Sequence, residues 1–228
     1  MSYQKTKISP KLGIEIHNYL QSIGLETPTV ESALQVDSKE KIEKIERLVA
    51  EVWETLGMDL TDDSLRETPK RIAKMMVLEH YWGLLPENFP KNTTIENKMK
   101  YDEMVTLTEV PVMSNCEHHG VTFTGTAIVS YIPDQKVIGI SKLARIVEYF
   151  ARRPQVQERL TAQVFHTLRY LLDTENVAVA IRAQHFCMIS RGVESPNTWT
   201  HTTNLGGLYK TDPSARNEFL ALVNADKR

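Results

Sequence analysis

Apolar positions recur at helical spacing through the first hundred residues and then change character. Leu12, Ile16, Tyr19, Leu20 and Ile23 mark one helix. Ile42, Ile45, Leu48, Val49, Val52, Trp53 and Leu56 form a longer stripe that opens on Asp37 with Glu40 three residues on, a capping-box spacing, and stops at Gly57. Ser64 and Glu67 repeat that spacing ahead of Pro69 and predict a helix to about Tyr81. Residues 83–100, punctuated by Pro86, Pro90, Asn92 and Asn97, read as an irregular connection. Beyond it, 102–110 and 121–132 alternate with period two and predict strands joined through a turn holding Ser114 to His119. Leu143, Ile146, Val147 and Phe150 give a helix that Pro154 ends, and Val156, Leu160, Val164, Leu168 and Leu171 give the next.

The clearest strand pattern is 177–188, where Val177, Val179, Ile181, Ala183, His185 and Cys187 fall on one face. Residues 202–210 predict a further strand, and Asp212-Pro213 a last helix carrying Phe219, Leu220 and Val223. The order is helices followed by ββααββα. That divides the chain into an N-terminal helical region, 1–100, and an α+β unit, 101–228.

Composition narrows the function classes. The chain has 228 residues, and 27 Lys+Arg against 29 Asp+Glu leave no single-sign field suited to nucleic acid. Mean hydropathy is −0.32 and no apolar run approaches the ~18 residues of a membrane span. The N-terminal stretch shows no signal-peptide pattern, so a reducing cytoplasm is expected, with the 2 cysteines as thiols or metal ligands.

Both cysteines stand beside histidines, in Cys116-Glu117-His118-His119 and His185-Phe186-Cys187. Each half alone reads equally as a buried thiol next to an ordinary polar residue. Together, the C-x-x-H turn aims Cys116 and His119 at one ion, and Cys187 adds a third ligand. If His118 or His185 supplied a fourth, the site would be closed and structural. If the site stays open, it acidifies a bound water toward pKa ~7 and leaves those two histidines free for proton transfer.

Gly139-Ile140-Ser141-Lys142-Leu143-Ala144-Arg145 predicts a helix N-terminus capped by Ser141, with Lys142 and Arg145 in the first turn. Cations there oppose the helix dipole and ask for an anionic partner, although a solvated helix end is the plainer alternative. Arg191 would add a guanidinium to such a cluster. Glu158, opening the next helix, is either an ordinary first-turn acid or a carboxylate able to accept from the amino-imino edge of a base such as guanine.

These motifs, with Arg153-Pro154-Gln155-Val156-Gln157-Glu158-Arg159-Leu160, Leu205-Gly206-Gly207, Glu67 to Met75 and Glu96 to Met99, resemble the GTP cyclohydrolase I family over nearly all of the chain. The resemblance implies the tunnelling fold, an antiparallel sheet with helices on one face. It implies a zinc enzyme converting GTP to 7,8-dihydroneopterin triphosphate and formate at the entry to folate and pterin synthesis. Cys116, His119 and Cys187 match the zinc ligands, and His118 and His185 the histidines assigned to proton transfer; Ser141 is expected to act beside His118 as a catalytic proton handler in the later rearrangement. Ser141, Lys142, Arg145 and Arg191 match the triphosphate contacts, and Glu158 with Gln157 the base-holding residues. Arg71 matches an arginine contributed by a neighbouring subunit of a toroidal homodecamer. Two departures stand out: Gly120 where a larger apolar residue is expected, and a bulky 197–203 segment. A zinc deaminase is disfavoured because the chain has no C-x-x-C. A non-catalytic zinc-stabilised nucleotide binder and a relative acting on another pterin or deazapurine remain as rival readings.

Overall fold

Most of the punctuation in the sequence is used by the backbone. A computed structural model describes residues 7–225. Residues 1–6, part of the segment read as lacking a signal peptide, and 226–228 of the second unit lie outside that range. Helix α1 spans Pro10–Ser22, α2 Glu31–Leu34 and α3 Ser38–Thr55. Asp37 caps α3 by accepting the Lys39 N–H at 2.8 Å, and Gly57 follows with φ +88°, a left-handed conformation that suits glycine. Ser64 does not cap a helix. Its hydroxyl and N–H both donate to Asp62 in the preceding turn, and α4, Thr68–Met75, starts after Glu67 without a side-chain cap. A π-turn, Met76–His80, continues it.

The connection expected to be irregular contains two 3₁₀ turns, Trp82–Leu84 and Pro86–Asn88, and a short strand β1, Thr94–Glu96. The main strands are β2, Val105–Cys116, and β3, Thr122–Tyr131. Strand β4, Lys136–Ile138, pairs with β1 and leads into helix α5, Ile140–Ala151. Strand β5, Pro154–Gln155, helix α6, Gln157–Leu172, and strand β6, Val177–His185, follow. The helical turn α7, Phe186–Ile189, strand β7, Thr200–Leu205, and helices α8, Leu208–Thr211, and α9, Pro213–Ala225, complete the described chain.

The five-stranded sheet runs β5-β2-β3-β6-β7. All neighbours are antiparallel except β2 and β5, which pair in parallel at Asn115↔Pro154 and Cys116↔Gln155. The architecture is therefore α+β with a mixed sheet rather than a purely antiparallel one. Side chains alternate across β6, so Val177, Val179, Ile181 and Ala183 enter one core with Leu143, Ile146 and Phe150 of α5 and Leu160, Val164 and Leu168 of α6. Ile16 and Leu20 of α1 join that core.

Ala178 and Ala180 face the other way and pack with Ile128, Tyr209 of α8 and Phe219 of α9. Helices thus cover both faces, contrary to the one-face arrangement implied by the resemblance. Packing Tyr209 and Phe219 on Ile128, Ala178 and Ala180 takes that second apolar face out of water. No helix among the described residues is long and apolar enough to cross a membrane.

Candidate metal centre and active site

Three elements deliver the two cysteines and a histidine to one place. Cys116 ends β2, His119 lies in the turn to β3, and Cys187 sits in α7. Their ligand atoms all lie within 4.8 Å of one another. Cys187 is not on the strand, as the period-two pattern had it: β6 ends at His185, and the chain folds into a helical turn at Phe186. That turn brings the thiol back toward Cys116. Gly120 has a local role: its φ of +66° closes the Cys-Glu-His-His turn and its N–H donates to the Cys116 carbonyl.

The donor set fits a metal. Cys116 is buried and Cys187 partly so. Burial first, then the neighbouring Cys116 sulfur, pushes the Cys187 thiol up from its ordinary value, because two thiolates so close repel without a cation between them. Two thiols and an imidazole are borderline-soft ligands of the type zinc takes, and His119 remains exposed on the open side.

His118 and His185 stand next to this cluster in different settings. His118 is exposed, with Nδ1 at 3.6 Å from the Cys116 sulfur. His185 is half-buried and stacked on Phe123, ring centroids 4.5 Å apart and planes within 11°. Burial pushes its imidazole below the ordinary histidine value, and the exposed Glu158 carboxylate opposes that shift. Arg191 donates from Nη1 to His119 Nε2 at 3.0 Å, which ties it to the metal turn.

The residues read as an anion site lie at the start of α5. Gly139, not Ser141, occupies the N-cap, and Ser141 stands exposed inside the first turn. Lys142 lies in that first turn but Arg145 falls in the next, because the helix starts two residues earlier than the spacing predicted. Burial, then the charges of Arg145, Lys91 and Lys7, pull the Lys142 ammonium down from its usual value. Several cations therefore converge there, two of which the sequence reading did not single out. Ser141 and Arg145 also line a cavity of about 300 Å³ with Val110, Pro111 and Met113 of β2.

The first turn of α6 supplies three different contacts. Gln157 is buried and hydrogen-bonded to His185, Glu158 is exposed beside His185, and Arg159 pairs with Glu117. Neither the Arg159 pairing nor the Phe123 stack was singled out from sequence, although Glu117 and Arg159 both lie inside the quoted motifs. Arg71 stands apart, exposed on α4, which packs against α3 and the π-turn.

The family model for GTP cyclohydrolase I matches residues 45–224. The chain belongs to the GTP cyclohydrolase I family. It is 56% identical over 202 residues to the GTP cyclohydrolase 1 of Aeromonas hydrophila subsp. hydrophila, covering 89% of this chain and 92% of that protein. Against the GTP cyclohydrolase 1 of Aeromonas salmonicida the identity is 56% over 201 residues, with 88% and 91% covered. Against that of Yersinia enterocolitica it is 50% over 208 residues, with 91% and 94% covered. Similarity at this level over nearly the full length marks the chain as an enzyme of the GTP cyclohydrolase I family.

Proposed function

We propose that this enzyme converts GTP to 7,8-dihydroneopterin triphosphate and formate, with zinc held by Cys116, His119 and Cys187. The observation that carries the reading is the convergence of those three ligands beside two histidines that are not needed to hold the ion. Zinc in a three-ligand site supplies an acidified water, a nucleophile available near neutral pH.

The residues around it divide the remaining work. Lys142, Arg145 and Arg191, with Ser141, hold the triphosphate, which undergoes no chemistry and serves to orient the base. Glu158 accepts from the guanine edge. Water adds at C8 while His185 handles the proton at the ring nitrogen, and the C8–N9 bond opens to a formamide. A second water releases formate. The ribose then opens and rearranges, with His118 and Ser141 as proton handlers, and the freed amine closes the dihydropterin ring with loss of one water. Net consumption is one water per GTP.

The same reading takes the sheet as a tunnelling fold, 101–228 as the catalytic unit, and the functional form as a homodecamer in a cytoplasmic setting at the entry to tetrahydrofolate synthesis. Two features support assembly. Helix α3 and its C-cap leave Leu48, Val52 and Leu56 exposed, and β2 is paired on its outer side only at Asn115 and Cys116. In such an assembly Arg71 reaches a neighbour's site.

The test is incubation of the zinc-loaded protein with GTP, following formate and dihydroneopterin triphosphate by mass spectrometry, with Cys187→Ala as control. Both products are expected, and neither in the control. GTP binding without formate would instead indicate a zinc-stabilised nucleotide binder, and no GTP binding would overturn the reading.

A further inference from the structure

Gln157 is grouped with the base-holding residues by the resemblance, yet its side chain points into the protein and is 1% exposed. Nε2 lies 3.0 Å from the Ile181 carbonyl, 3.1 Å from the Thr200 carbonyl and 3.0 Å from Thr202 Oγ1. Carbonyl oxygens only accept, so the amide nitrogen must face β6 and β7 and the amide oxygen must face the other way. The hydroxyls agree. Thr161 donates to the Gln157 backbone carbonyl at 2.8 Å, so Thr202 donates to Thr161 at 2.7 Å and turns a lone pair to Nε2. Gln157 Oε1 is thereby fixed 2.9 Å from His185 Nε2. An amide oxygen cannot donate, so the imidazole does.

We infer that Gln157 is a positioning residue that holds His185 in the tautomer protonated at Nε2, leaving Nδ1 as the position that exchanges a proton with substrate. Phe123 sets the plane of the ring by stacking, and Gln157 sets its rotation within that plane. Among the described residues Nδ1 makes no hydrogen bond. A buried side chain acting through a histidine is expected to affect the chemical step and not the affinity for GTP. This inference rests on the proposed reaction for its consequence and on the hydrogen bonds alone for the tautomer.

The experiment has two parts. Steady-state formate release is measured for the zinc-loaded enzyme, for Gln157→Leu, for Gln157→Glu and for each of these combined with His185→Asn. Gln157→Leu is expected to lower kcat roughly 10–100-fold with little change in KM, as removal of partners that orient active-site groups does. Gln157→Glu keeps an acceptor toward His185, and its carboxyl, when protonated, can still donate to one carbonyl; it should recover part of that loss. On the His185→Asn background neither change should lower kcat further, because the residues act as a unit. A raised KM with unchanged kcat would make Gln157 a substrate contact and overturn the inference. The second part is a neutron density map of the unsubstituted zinc-loaded protein, which needs no variant to fold. A deuteron on Nε2 facing Gln157 is expected, and one on Nδ1 alone overturns the inference. Absence of formate from the unsubstituted enzyme would count against the proposed function, and the deuteron map would still decide the tautomer.

Discussion

Arg159 grips both carboxylate oxygens of Glu117, with Nη1 to Oε2 at 2.7 Å and Nη2 to Oε1 at 2.9 Å. Glu117 lies between Cys116 and His118, so this fork pins the Cys-Glu-His-His turn to the first turn of α6. Isolated surface pairs contribute little, but a bidentate guanidinium fixes direction as well as distance. Arg159→Leu is expected to release zinc faster, with affinity lower by roughly 10–100-fold, the usual effect of losing a group that orients ligands. Arg159→Lys keeps the charge without the fork and should fall between. Zinc release into a chromogenic chelator measures this, and equal rates for all three proteins would refute it.

Zinc should also raise the stability of the whole chain, because its ligands come from β2, its following turn and α7, which converge only on folding. With free zinc 1,000-fold above its dissociation constant, the native state gains about 4 kcal/mol. Chelated protein should therefore melt lower than reloaded protein. Cys116→Ser should lose most of that difference. A melting temperature indifferent to zinc would show that the three side chains do not hold it.

How much of this was legible in the sequence depended on the range of the interaction. Helices α5 and α6 followed from apolar spacing and Pro154, and β6 from period-two alternation, because those patterns are local. Cys116 and His119 were legible for the same reason, through the spacing of one turn. The end of β6 at His185 was not, since residues 177–188 continue the alternation while the chain turns into α7 and folds Cys187 back toward Cys116. The cover of the second sheet face by α8 and α9 depends on Tyr209 and Phe219 meeting Ala178 and Ala180, pairings that periodicity does not specify. The resemblance groups Gln157 with Glu158 as base-holding, and its burial was not legible, because a helix start does not reveal which of its neighbours points inward. The Glu117 fork joins residues 42 apart and has no local signature.

Lys142 and Arg145 should govern affinity for the triphosphate. Lys142 is crowded by Arg145, Lys91 and Lys7, so an anion placed there relieves repulsion among the cations as well as forming new contacts. Lys142→Gln is expected to raise KM for GTP about 10–100-fold, the worth of a hydrogen bond to a charged group, with kcat affected less. Added salt should raise KM of the unsubstituted enzyme more than that of the variant. A KM within twofold of the unsubstituted enzyme would remove Lys142 from the triphosphate site.

Glu26 and Arg153 form an ion pair that ties the segment after α1 to the entrance of β5, with side chains 9% and 3% exposed. The Arg153 guanidinium also lies 4.6 Å from the centre of the Tyr149 ring, and its backbone carbonyl accepts from Ser114 of β2, two residues before Cys116. Burial alone pushes the Glu26 carboxyl up, but His17, Arg153 and the Thr27 N–H outweigh it and leave its pKa below the ordinary 4.5. A lowered folded value means that the ionised carboxylate favours the native state. The contribution is whole above pH 4.5 and fades as pH falls through the lower folded value. Glu26→Gln should therefore melt well below the unsubstituted protein at neutral pH, by about 3–5 kcal/mol of stability, because Arg153 is left as a buried unpaired charge. The gap should narrow in acid, where the unsubstituted protein loses the same pair by protonation. Thermal denaturation of both proteins across pH 7 to 3 measures it, and a gap that stays constant or widens toward acid would show that Glu26 is not the group titrating.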